Sequence, residues 1–160
     1  MLQYEAGDLR GRSAVYRFYL AHTNRINNWD LVDTSARAIV GEHLRTRSRR
    51  PVYRLARSKQ LWERRIAMIS THAWIITGDT TDAYAIALLL LDDPHDLIRK
   101  AVGWMLREAG VRSRDELLAF ITKNDARMSR TTLRYAIEHF SPAERKRILK
   151  GSLQRRGDSA

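Results

Sequence analysis

Apolar residues recur along this chain every three or four positions, the period of a helix with one buried face. The pattern is clearest from Gln60 to Thr77, where Leu61, Trp62, Arg65, Ile66, Ile69, Ala73 and Ile76 keep helical spacing and Gly78 supplies a stop. Ser13 can cap a helix to about Thr23, with Val15, Phe18, Tyr19 and His22 on its buried face. Asn28 can cap the next, Trp29 to about Leu44, on an apolar side of Leu31, Val32, Ala36, Ile39 and Val40. Pro51 stands where a short helix could begin. Asp79 to Leu91 is apolar nearly all round and is expected to be well buried. Asp96 or Pro94 opens a helix that Gly110 is expected to close. Ser113 and Glu116, then Ser141 and Glu144, have capping-box spacing and open helices to about Lys123 and Lys150, with a helix from Ser129 to Phe140 between them. Residues 1–12 read as an irregular lead-in and 151–160 as a flexible basic tail.

No segment sustains strand alternation and no turn pair has hairpin form, so the fold class is all-α. The helices starting near Trp29, Gln60, Asp96 and Ser129 are spaced by about one helical hairpin, in the range of HEAT-type repeats. Such a hairpin buries its apolar face only against its neighbours. The expected architecture is one domain over 13–150, an α-solenoid winding as a right-handed superhelix with one helix of each pair on a concave surface.

Charge changes the picture from scaffold to polyanion binder. In 160 residues, 29 Lys+Arg stand against 18 Asp+Glu, a net charge of +11. Most of the cations are arginines, whose planar fork grips two phosphate oxygens at once. The absence of cysteine excludes disulfide frameworks, thiolate zinc sites and Cys nucleophiles. The five histidines are scattered without ligand spacing, so no metal site is expected. The first residues lack a signal-peptide core, and the longest apolar run, Ala85 to Leu91, is too short to span a bilayer. A cytoplasmic, nucleoid-associated protein is expected.

Candidate chemistry gathers on the repeat-equivalent helices. Trp29 and Asp33, four residues apart, share a helix face. The next such helix carries Trp62, Arg64 and Arg65, the third Arg99, Lys100, Trp104 and Arg107, the fourth Arg130 and Arg134. If all line one surface, cations converge on one acid and its aromatic neighbour, as suits a phosphate backbone with a reactive centre. Blander readings stand beside this one. A Trp at an apolar helical position is usually core, which is favoured for Trp62 and balanced for Trp104. Asp33 could simply pair with an arginine. The run holding Arg45, Arg47, Arg49, Arg50, Arg54 and Arg57 reads equally as a solvated loop or a phosphate-contacting one.

The segments NNWDLVD, LWERRIAMIS, KAVGWMLREAG and SRTTLRYAIEHF, in this order and at these separations, resemble the AlkD-like DNA alkylation repair family of HEAT-like-repeat glycosylases. The resemblance runs from about Val15 to Lys150. It implies an enzyme that excises cationic N3- and N7-alkylpurines from double-stranded DNA without flipping the base, and that needs no cofactor or metal. It makes Asp33 the catalytic aspartate, Trp29 and Trp104 the cleft tryptophans, and Arg65 and Arg107 the cleft arginines. Arg64 is the poorer match, because the arginine directly before the Ile-Ala pair is the family position. Family members carry further helices ahead of the matched region. A monomer is expected, with self-association possible through the exposed N-terminal repeat end. The competing expectations are a non-catalytic DNA-binding paralogue and a protein-interaction scaffold.

Overall fold

The computed structural model describes residues 9–157. They form nine main helices and no strand. These are α1 (Leu9–Ala21), α2 (Trp29–Ala36), α3 (Arg50–Ala56), α4 (Leu61–Ser70), α5 (Thr81–Leu89), α6 (Asp96–Arg112), α7 (Arg114–Asn124), α8 (Arg130–Ala136) and α9 (Pro142–Gly157). Helix α2 runs on through a π-helical stretch, Arg37–Gly41, into Glu42–Leu44. After a break at Thr71, α4 is followed by His72–Ile75.

Local chemistry explains most boundaries. The Asn28 side chain accepts from the Asp30 N–H and starts α2. Pro51 sits in the first turn of α3, where its missing N–H costs nothing. Ser113 accepts from the Glu116 N–H, and Ser129 from the Thr132 N–H. At α9 the box is reciprocal: the Glu144 N–H donates to Ser141 Oγ at 3.3 Å, and the Ser141 N–H to Glu144 Oε2 at 3.1 Å. Gly78 has a φ of 92°, the left-handed region its lack of a Cβ permits.

Five expectations are corrected. Gly110 does not end α6, which continues to Arg112; the glycine instead makes room for the Leu117 side chain of α7. Val15 and Phe18 lie on the exposed side of α1, and it is Tyr16, Tyr19 and Leu20 that pack against the core. Leu88 and Leu89 leave α5 exposed on one side. Helix α1 already begins at Leu9, and the rest of the expected lead-in, 1–8, lies outside the described residues. Helix α9 extends to Gly157, past the expected end near Lys150; 158–160 also lie outside.

Helices α2, α4, α6 and α8 lie side by side in that order, with α3, α5 and α7 packed beside them, as stacked helical hairpins require. The core is the shared interior: Val32, Ala36 and Val40 of α2, Ile66 and Ile69 of α4, Ile98, Val102 and Leu106 of α6, and Leu133 of α8. Buried Trp74 donates its indole N–H to the Gly41 carbonyl at 2.9 Å, satisfying an acceptor at the end of the π stretch. Arg49 lies 4.2 Å over the Trp74 ring and pairs with Asp79 and Asp82. One arginine of the basic run is thereby spent on joining α3 to α5.

Candidate active site on the α2, α4 and α6 faces

Asp33 sits on α2 one turn after Trp29, and Trp29 is exposed. Its carboxylate meets Arg65 of α4 in a two-pronged ion pair: Nε donates to Oδ1 at 2.9 Å and Nη2 to Oδ2 at 2.7 Å. The third donor of the fork, Nη1, goes to the Leu97 carbonyl of α6. Arg65 therefore joins three successive repeat helices, and at 5 % exposure it is a buried charge. It fixes where Asp33 points rather than reaching for solvent. Arg64, next in sequence, turns the other way, to Asp93 at 2.6 Å and to the Ser58 and Lys59 carbonyls.

On α6, Trp104 is half-buried and donates its indole N–H to Glu108 Oε1 at 3.0 Å. Arg107 donates to the same oxygen from Nε (3.3 Å) and Nη2 (3.1 Å), and its Nη1 reaches Glu138. The far oxygen, Oε2, lies 4.0 Å from His72 Nε2. His72 follows Arg65 by seven residues, two turns along the same side of α4 and its continuation. Its ring is tilted against Trp104 with centroids 6.2 Å apart. Burial lowers the His72 pKa and Glu108 opposes this, while Arg37 and Arg112 lower it further. Arg65 and His72 both face α6, one through the Leu97 carbonyl and the other through Glu108 and Trp104, and Leu97 and Trp104 are themselves two turns apart on α6.

The structure thus brings together Trp29, Asp33 and Arg65 at one end of this surface, and Trp104, Arg107, Glu108 and His72 at the other. Other expected cations are engaged elsewhere. Arg130 donates to the Leu149 carbonyl, Arg99 to the Asp93 carbonyl, and Lys100 pairs with Asp96 at 2.8 Å. Arg50, Arg54 and Arg57 line an open cavity of about 700 Å³ with Tyr53, Leu20 and Glu63, between α1, α3 and the start of α4. Sequence reasoning missed His72, Glu108 and Arg37. A signal was present: Trp104, Glu108 and Arg112 repeat the spacing of Trp29, Asp33 and Arg37, with an aromatic, an acid and an arginine each one turn apart.

Among the described residues, no group of three or more His, Asp and Glu could hold a metal ion, and no helix is long and apolar enough to cross a membrane. Neither curated proteins nor solved structures offer a match. A family model does match, over residues 2–140, and its description is DNA alkylation repair enzyme. That span takes in both clusters on the α2, α4 and α6 faces, and the chain belongs to the DNA alkylation repair enzyme family.

Proposed function

We propose that this protein is a DNA glycosylase that hydrolyses the N-glycosidic bond of cationic N3- or N7-alkylated purines in double-stranded DNA, leaving the base in the stack. The observation that carries the reading is the Asp33 carboxylate, pinned at both oxygens by a buried guanidinium beside an exposed Trp29. A purine alkylated at N3 or N7 is already cationic. As the bond from the sugar C1′ to N9 breaks, its electron pair neutralises the leaving purine, and no acid has to protonate it. Positive charge then develops on the sugar. A carboxylate held in place stabilises that charge without reorganising, and it can orient the water that bonds to C1′ and accept its proton. The Trp29 face offers a π-surface to the same cation.

Membership of the family and a net charge of +11 support duplex DNA as the partner. Arg65 acts here by positioning Asp33. Arg107 meets a phosphate by exchanging or sharing its exposed partner Glu138. A cytoplasmic, nucleoid-associated location goes with this substrate.

The test is release of 7-methylguanine or 3-methyladenine from methylated duplex. The wild type is expected to release one or both. Asp33→Asn is expected to lose about 10²–10³-fold in rate, the range for deleting a preorganised electrostatic group, while still binding the duplex. A folded wild-type protein that releases no base at high concentration overturns the reading. Salt-sensitive binding without release would then identify a non-catalytic DNA-binding protein.

A further inference from the structure

We propose that Glu108 positions Trp104 and tunes its ring for a cationic ligand, as a counterpart on α6 of the acid on α2. The inference rests on the glycosylase reading, because the cation it concerns is the lesion or the sugar that forms from it.

Three observations carry it. First, Glu108 Oε1 takes the indole N–H of Trp104 at 3.0 Å and two N–H groups of Arg107 at 3.3 and 3.1 Å. One carboxylate oxygen therefore sets the orientation of both side chains. Second, the bond runs to the edge of the indole and so does not itself cover a ring face; the half-buried ring packs against the core, with His72 tilted beside it at 6.2 Å between centroids. Third, the acceptor is a carboxylate. An N–H bond to an anion is stronger than one to a neutral acceptor and pushes electron density into the ring. A cation over an aromatic face is held by the ring's negative quadrupole, so a more electron-rich indole holds it better. On α2 the same spacing places Asp33 one turn beyond Trp29, but there the acid is taken up by Arg65. The two helices thus use one motif in two ways. The first presents an acid held away from its tryptophan, and the second an acid bonded to it.

Glu108 is a positioning residue in this scheme, since it acts through the indole. Two duplexes separate its charge from its shape. One carries a pyrrolidine analogue of the abasic sugar, cationic at neutral pH; the other carries the uncharged tetrahydrofuran analogue. The wild type is expected to bind the cationic duplex more tightly. Glu108→Gln keeps an acceptor oxygen for the indole and removes the charge. It is expected to lower the preference for the cationic over the tetrahydrofuran duplex about tenfold, the scale of one cation–π contact, whatever loss both duplexes share when the hold on Arg107 weakens. Glu108→Ala, which removes the acceptor, is expected to weaken both. The Trp104 indole N–H resonance in a ¹H–¹⁵N spectrum is expected to shift upfield in Glu108→Gln, reporting the bond independently of DNA. A wild type that prefers the cation and a Glu108→Gln variant that keeps the whole preference overturn the proposal and leave the glycosylase reading intact. A wild type that neither releases base nor distinguishes the two duplexes overturns both.

Discussion

Arg65 shows how one side chain can settle the meaning of another. A guanidinium at 5 % exposure has lost most of its hydration, and it recovers that loss only through the two Asp33 oxygens and the Leu97 carbonyl. Removing it strands a desolvated carboxylate and an unpaired carbonyl. Arg65→Met is therefore expected to destabilise the fold by about 3 kcal/mol, the usual scale for breaking a buried ion pair from one side, as urea unfolding would measure. Arg65→Lys keeps the charge but has no planar fork to hold both oxygens. It is expected to retain most of the duplex affinity while slowing base release, and equal loss of both would assign Arg65 to DNA binding instead. From pattern alone Arg65 was one cation among several. The resemblance selected Asp33, Trp29, Trp104, Arg65 and Arg107, but a sequence spacing says nothing about which donors face which acceptors across thirty residues. His72 stayed hidden for that reason, and the Trp104–Glu108–Arg112 spacing marked Glu108 without showing that it bonds the indole and Arg107.

At the scale of elements, the caps and the helical period were legible, because both are set within a few residues. Asn28, Ser113, Ser129 and Ser141 all sit at helix starts with bonded side chains. What escaped was decided between helices. Gly110 has the look of a stop and is instead a clearance for Leu117; the π stretch at Arg37–Gly41 has no signature of its own in the sequence. The most telling clearance is Gly103, directly before Trp104. A Cβ there would stand 2.5 Å from the Tyr135 Cβ and 2.6 Å from the Thr132 carbonyl oxygen, so α6 and α8 touch through backbone at this point. Gly103→Ala forces the two helices apart. It is expected to cost about 1–3 kcal/mol, the range for overpacking, against the small gain an alanine gives a helix interior. Chemical denaturation would show the loss, and the shift of α6 is expected to weaken the cationic preference assigned to Trp104 as well.

At the scale of the whole molecule, two histidines link stability to acid pH in one direction. Burial lowers the pKa of His72 from its ordinary 6.5, with Arg37 and Arg112 adding to the effect against Glu108. His43 is lowered by burial and then by Arg47 and Arg17. For both groups the folded state resists protonation more than the unfolded chain does. Their contribution is present above pH 6.5 and declines as the pH falls from there toward the lower folded values, because the unfolded state takes up protons first. Solvent screening at these partly exposed rings keeps each contribution modest. A second, lower window belongs to Glu144, held at about 2 by Arg114 and by the Ser141 hydroxyl and N–H. Its contribution is present above the ordinary 4.5 and fades as the pH falls toward 2. Thermal melts at pH 7.5, 6.5 and 5.5 are expected to show a fall concentrated below 6.5. In His72→Gln that fall is expected to shrink, since a side chain that cannot ionise removes one of the two proton-linked terms. A His72→Gln profile parallel to wild type across this range would place the linkage on His43, which stacks on Tyr16 of α1 with centroids 4.0 Å apart. Base release would then be free of it, whereas linkage through His72 acts on the residue that lies 4.0 Å from Glu108 and tilted against Trp104, and is expected to alter both the melt and the cleft on acidification.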